Sequence, residues 1–196
     1  MEKPPIAGLI LAGGLSRRMG GGDKALSDFN GAPLIAAIID RLAPQVGPLV
    51  LNANGDPARF AFTGLPVVAD VVPHHIGPLA GLLTGFDWIA RNAPECRWLA
   101  TVPSDSPLFP ADLVERLAAA RADVAVARSG RHAHPVFSLW NVDLAERLRA
   151  MVAAGERRMG AALDRFDAAE VEWPDHPTDP FFNVNTPEDL AALRSL

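Results

Sequence analysis

Seven short aliphatic runs, each bounded by Gly, Pro, Asp or Asn, alternate with segments of helical spacing, and this alternation limits the possible folds more than any other feature. The runs at residues 6–11, 49–51, 66–69, 98–102, 124–127, 136–139 and 171–173 have the length and composition of buried strands. Between them apolar residues recur three and four apart: Leu34, Ile35, Ile38, Ile39 and Leu42; Leu79, Leu82, Leu83, Phe86 and Ile89; Leu113, Val114 and Leu117; Leu144, Leu148, Met151 and Val152. Each set lays one apolar stripe against a sheet. The pattern predicts an α/β fold with a mostly parallel sheet, helices on both faces, and ligands gathered beyond the carboxyl ends of the strands. A last helix is expected from Thr186-Pro187-Glu188-Asp189, which supplies an N-cap, a Pro at the first helical position and an acid at the third, to about Ser195. Asn30-Gly31 predicts a tight turn, and residues 174–180 a loop.

A length of 196 residues with 49% hydrophobic content suits one domain spanning 1–196. The chain has no Tyr and few aromatics, so a stacking platform for single-stranded nucleic acid is not expected. Its formal charge of −5 repels polyanions, which argues against nucleic acid as a partner; an anionic ligand must be held by local cations and backbone N–H groups. Cys96 has no second thiol to pair with, which fits a reducing cytoplasm. The opening Met1-Glu2-Lys3-Pro4-Pro5 lacks a basic leader region and the following apolar stretch is too short to span a bilayer, so no membrane role is expected. We expect a monomer.

The first strand runs into Leu11-Ala12-Gly13-Gly14-Leu15-Ser16-Arg17-Arg18-Met19-Gly20-Gly21-Gly22-Asp23-Lys24. Glycines at a strand's carboxyl end let backbone N–H groups approach phosphate oxygens, and Arg18 and Lys24 add full positive charge. The kinase-type phosphate loop requires Ser or Thr after Gly-Lys, whereas Lys24 follows Asp and precedes Ala25. Gly20-x-Gly22-x-x-Ala25 formally fits the dinucleotide fingerprint but starts too far past the strand, and Asp40 falls on a helix pattern.

The run Leu-Ala-Gly-Gly-x-Ser-x-Arg-Met-Gly-x-x-x-Lys resembles the signature loop of nucleotidyltransferases built on a Rossmann-like sheet, and its double Gly and Asp-Lys ending most resemble the molybdenum cofactor guanylyltransferases. Further matches follow in order along almost the whole chain: Asn52-Ala53-Asn54, Asp70, Gly77-Pro78-Leu79-Ala80-Gly81, Pro103-Ser104-Asp105-Ser106-Pro107, His134-Pro135, Gly155-Glu156-Arg157-Arg158 and Asn183-Val184-Asn185-Thr186-Pro187.

Asp105 follows an apolar strand, where its carboxylate can face the site. Magnesium takes one or two carboxylates and fills its octahedron with phosphate oxygens and water, a role that suits Asp105; an Asx turn before Pro107 is the alternative. Asp70 stands at a similar strand end and could hold the nucleotide or assist the metal indirectly, or serve as a turn carboxylate. Asn52 carries the acceptor and donors that reading a base edge requires. Asn183 and Asn185, two apart, point to one face if their segment is extended; they could bind the acceptor or simply hydrogen-bond the loop before the helix cap. His132 with His134, and His74 with His75, lack a third nearby ligand for zinc. Ser16 has no visible His and Asp constellation.

The resemblance implies transfer of GMP from GTP to molybdenum-loaded molybdopterin, with Mg²⁺ as cofactor. It implies catalytic roles for Arg18, Lys24 and Asp105, and nucleotide contacts from Leu11, Ala12, Gly13, Gly14, Lys24, Asn52, Asp70 and Asp105. Gly81, Arg157, Asn183 and Asn185 fall to the acceptor, and Asp105 to the metal. It also implies transient contacts with other molybdenum cofactor biosynthesis proteins and with acceptor molybdoenzymes. Cytidylyl transfer to the same pterin, nucleotidyl transfer to a sugar 1-phosphate, and a carrier that binds without turnover are the alternatives.

Overall fold

The computed structural model describes residues 5–12, 23–72 and 77–194. Along the chain run β1 (Ile6–Leu11), β2 (Asp28–Phe29), β3 (Ala32–Pro33), α1 (Leu34–Leu42), β4 (Leu49–Asn52), β5 (Val67–Val68), α2 (Pro78–Asn92), β6 (Trp98–Pro103) and α3 (Leu113–Ala119). They are followed by β7 (Val124–Ser129), β8 (His132–Asn141), α4 (Ala145–Ala153), α5 (Met159–Arg165), β9 (Ala169–Trp173) and α6 (Pro187–Leu193). All seven predicted runs are strands of one sheet, ordered β5-β4-β1-β6-β8-β7-β9.

Strands β5, β4, β1 and β6 are parallel, as are β7 and β9, whereas β8 pairs antiparallel with both β6 and β7. The reversal at β8 is the departure from the expected pattern. Its cause is local: Ser129 pairs with His132 across a two-residue turn containing Gly130 at φ 53°, so β7 and β8 form a hairpin. Register shifts between Val126 and Ala127, opposite the stretch that contains Pro135, a residue with no N–H to give to a ladder. Side chains satisfy the freed carbonyls: Ser138 Oγ donates to Pro135 O at 3.0 Å and Thr101 Oγ1 to Val136 O at 2.6 Å. A second small hairpin, β2–β3, turns on Asn30 and Gly31, both at positive φ.

The strands alternate their side chains between two cores. Ile6 and Ile10 of β1 join Ile35, Ile38 and Leu42 of α1 and Leu113 and Leu117 of α3 on one face. Ala7 and Leu9 join Leu79, Leu82, Leu83 and Phe86 of α2, Leu148 and Val152 of α4, and Leu163 of α5 on the other. Each fully buried Leu or Ile contributes roughly 1.5–3 kcal/mol, so the two-sided burial of β1 fixes the centre of the sheet. Helix α6 begins at the expected capping box, with Thr186 and Asp189 each bonding the other's backbone, and its apolar side joins Leu34 and Val184. Among the described residues no helix is long and apolar enough to cross a membrane.

From β1 the chain steps outward to β4 and β5, then α2 carries it back across to β6 on the other side of β1. That change of direction opens a crevice between the carboxyl ends of β1 and β6, the place where such sheets bind ligands.

Candidate active site

The crevice is framed by backbone bonds. Ala12 N donates to Asn52 O at 2.9 Å, and Ser104 N donates to Leu11 O at 3.1 Å, so the end of β1 lies between the tip of β4 and the loop that carries Asp105. Gly13, Gly14, Ser16 and Arg18 fall within 13–22, and His74 and His75 within 73–76, outside the described residues.

Lys24 opens a short 3-10 turn capped by Asp23, whose Oδ1 accepts from Ala25 N at 3.1 Å while its Oδ2 is held by Arg59 Nε at 3.0 Å. So anchored, Lys24 donates from Nζ to Asn185 Oδ1 at 2.8 Å and lies 3.7 Å from Asp105 Oδ2. The Asp105 carbonyl accepts from Val184 N at 2.8 Å, and the Ser106 hydroxyl donates to Asn183 Oδ1. Asn183 and Asn185 therefore both turn toward the Asp105 loop, as their spacing suggests. Burial pushes the Asp105 carboxyl above its ordinary value, opposed by the Lys24 charge. Among the described residues Lys24 is the cation that faces this carboxylate, and it shares its ammonium with Asn185.

A second group lies across β1. Asn52, 3% exposed, donates from Nδ2 to Val68 O at 3.2 Å and to Asp70 Oδ1 at 3.0 Å. Asn54 Nδ2 donates to Asp70 Oδ2 at 2.7 Å, and Asn54 Oδ1 accepts from Asp70 N at 2.9 Å. Both Asp70 oxygens are thus occupied by amides, so this carboxylate orients Asn52. With its amino end turned to Val68 O, Asn52 directs its carbonyl toward Gly81: a Cβ built there would sit 2.5 Å from Asn52 Oδ1 and closer still to Leu11 Cδ2. Only glycine lets α2 approach so closely.

Of the residues expected on the acceptor side, the structure groups Asn183 and Asn185 with Lys24 and Asp105. Gly81 instead stands with Asn52 and Leu11. Arg157 is exposed in the turn between α4 and α5, and its carbonyl lies 3.8 Å from a Cβ built on Gly77, so it borders the start of α2 without joining either group. Asn54, Ser106 and Arg59 support the site and were not singled out from sequence; Asn54 and Ser106 stood inside the quoted motifs, and Asp23, the partner of Arg59, in the Asp-Lys ending, but only contacts reveal their work. His134 Nε2 is engaged by Ser129 Oγ at 2.6 Å. Cys96 is buried, and burial raises its thiol, in keeping with an inert side chain. A groove of about 920 Å³ between α4 and α5, lined by residues such as Arg147, Met151 and Phe166, is separate from both groups.

The sheet order, the switch point and the paired groups beside it are those of a nucleotidyltransferase on a Rossmann-like sheet. Residues 8–169 match the MobA-like NTP transferase domain, and the chain belongs to that family. A relative from Rhodopseudomonas palustris (strain BisB5), named molybdenum cofactor guanylyltransferase, is 52% identical over 195 residues, covering 97% of this chain and 93% of its own. The solved structure of molybdopterin-guanine dinucleotide biosynthesis protein A from Archaeoglobus fulgidus superposes with a TM-score of 0.71 at 20% identity, covering 96% of this chain and 97% of that one. Rv0371C of Mycobacterium tuberculosis H37Rv, solved in complex with manganese, gives 0.68 at 18% identity, covering 97% of this chain and 98% of that one.

Proposed function

We propose that this chain, acting as one nucleotidyltransferase domain, transfers GMP from GTP to molybdenum-loaded molybdopterin, producing molybdopterin guanine dinucleotide and pyrophosphate. The observation that carries the reading is the meeting of Lys24, Asp105 and Asn185 at the crevice between β1 and β6. The relative at 52% identity bears the corresponding name.

In the reaction an oxygen of the acceptor's terminal phosphate attacks the α-phosphorus of GTP in line. The bond from that phosphorus to the bridging oxygen of the β-phosphate breaks, and pyrophosphate leaves. Such transfer depends on positioning and charge neutralisation, with no protein nucleophile required. Lys24, together with Arg18 and backbone N–H groups of Gly13 and Gly14, neutralises the triphosphate, while Leu11 and Ala12, with Leu11 O and Ala12 N bonded to Ser104 and Asn52, wall the nucleotide pocket. Asn52, held by Asp70, contacts the base. Asn183 and Asn185 hold the acceptor, and Gly81 lets α2 close on Asn52 on the base side.

Asp105 would hold a divalent ion, Mg²⁺ in our reading. The fit rests on its partly buried carboxylate: Mg²⁺ needs only one or two carboxylates, and among the described residues no cluster of three His, Cys, Asp or Glu side chains offers an all-protein cage. When bound, the ion supplies charge to the phosphate oxygens. The relative fold of Rv0371C was solved with manganese, which supports divalent chemistry.

We place the enzyme in the cytoplasm as a monomer in transient contact with other cofactor-biosynthesis proteins and with acceptor molybdoenzymes. The test is a product assay with Mg²⁺, molybdenum-loaded molybdopterin, and GTP, CTP and UTP in competition. GTP is expected to be incorporated with stoichiometric pyrophosphate. Preferential CTP incorporation would make it a cytidylyltransferase, transfer to a sugar 1-phosphate would move the acceptor, and absence of single-turnover product would make it a carrier.

A further inference from the structure

The segment from Asp179 to Asn185 forms a strap across the carboxyl edge, and its far end is tied down by groups that the transfer reaction does not use. Ser129 ends β7 and is buried; its Oγ donates to Asp179 Oδ1 at 2.9 Å. With its hydrogen so committed, Ser129 Oγ must accept from His134 Nε2 at 2.6 Å, which assigns the ring hydrogen to Nε2. Asp179 Oδ1 also accepts from Phe181 N at 2.9 Å. The His134 ring stacks on Phe181 at 4.6 Å and 30°, and Phe181 packs at 4.9 Å on Phe137 and 5.5 Å on Trp173. The bulge around Pro135 breaks the β7–β8 register at the residues that place this ring.

We propose that His134 is a positioning residue for acceptor binding: through Ser129, Asp179 and Phe181 it latches the strap that presents Asn183 and Asn185 beside Lys24 and Asp105. The near end of the strap meets the site through Val184 N on Asp105 O at 2.8 Å and Lys24 Nζ on Asn185 Oδ1 at 2.8 Å. Nothing in the latch touches the Asn52 group, so loosening it disturbs one substrate and spares the other. The inference rests on the reading of Asn183 and Asn185 as acceptor-side residues.

The test uses the full chain with His134→Ala, His134→Gln and Ser129→Ala. Hydrogen exchange of peptides covering 179–186 is measured without substrates, and KM is measured separately for GTP and for the molybdopterin acceptor. His134→Ala is expected to speed exchange in the strap and raise the acceptor KM about tenfold, the scale of one lost hydrogen bond with its stacking partner. The GTP KM should stay within about twofold. His134→Gln, which restores an N–H at the same reach, should recover most of both. Should His134→Ala fail to fold, Ser129→Ala removes the same link, leaving His134 and Asp179 4.0 Å apart. Unchanged exchange across 179–186 in a folded His134→Ala or Ser129→Ala protein overturns the latch. A parallel Asn185→Ala variant separates the two claims: if its acceptor KM is normal, the acceptor reading fails and takes the positioning role with it, while the exchange data score the latch independently.

Discussion

The two groups of polar side chains flanking β1 are built on opposite principles. On the β4–β5 side, Asn52, Asn54 and Asp70 answer one another's donors and acceptors, and both Asp70 oxygens are taken. On the β6 side, Asp105 is pushed toward its neutral form by burial, and among the described residues Lys24, 3.7 Å away, offsets it. The first group closes its hydrogen bonds within the protein, whereas the second sets a partly buried carboxylate beside a lysine at the edge of the sheet. In the proposed function, the base is read beside the first group and metal and phosphate meet at the second.

The largest expected effect sharpens that contrast at Asp105. Because its folded pKa lies above the unfolded value, the folded state holds the proton more tightly. Its stabilising contribution is present below the ordinary value of 3.8 and is lost as pH rises through the folded pKa. At neutral pH the carboxylate therefore weighs against the fold. Asp105→Asn should lower turnover by about 100-fold or more while leaving the melting temperature of metal-free protein equal or higher. A product assay and a thermal melt in chelator check it. A variant that melts well below wild type, or one that keeps its turnover, would mean that Asp105 serves the fold and not the ion.

The complementary experiment breaks the Asn52 side. At Gly81 a methyl group has no room, with Leu11 Cδ2 and Asn52 Oδ1 both closer than 3 Å. Gly81→Ala should cost about 1–3 kcal/mol through overpacking, and the displaced Asn52 should weaken GTP binding about tenfold. Gly160→Ala in α5 is the control, because nothing lies within 4 Å of its added Cβ; it should stabilise by at most about 1 kcal/mol. Denaturant melts and GTP titrations report both. Equal stabilities and equal GTP affinities in the two variants would show that the close approach of α2 is not needed.

Much of this architecture was legible because periodicity reports burial. The strands of β1, β4, β5, β6, β7, β8 and β9 and the stripes of α1 to α4 carry enough apolar residues to declare themselves, and Thr186 to Asp189 declares the start of α6. Two features escaped for physical reasons. Helix α5 buries only Met159, Ala162 and Leu163, too few positions in seven residues for a helical stripe to stand out. The reversal at β8 depends on a Gly130 turn and a bulge at Pro135, and neither marks strand direction in a hydrophobic pattern. At the site, Lys24, Asp105, Asn183 and Asn185 were found because their residue types carry charge or paired amides at strand and loop ends. Asn54 and Ser106 were passed over because their contribution is a contact to another side chain, which spacing cannot show.

The smallest effect concerns the edge beyond Asp105, where His134 carries a shift of the opposite sense. Burial is the main cause holding its imidazole below the ordinary 6.5; nearby His132 adds to it and Asp179 opposes it. The unfolded chain therefore takes up a proton before the folded one does. Stability is full above pH 6.5 and falls as pH drops from there toward the folded pKa, where the folded state also protonates and the slope vanishes. One site of this kind gives less than about 1.36 kcal/mol per pH unit, so a careful series of denaturant melts is required to see it. His134→Gln keeps an N–H for Ser129 but cannot titrate, and should remove that share of the slope while preserving stability near neutral pH. The acidic limb governed by Asp105 runs the other way and should survive unchanged in the same variant. An identical slope in wild type and His134→Gln would place the ring in solvent contact, and with it would go the buried stacking on Phe181 that ties the strap to β8.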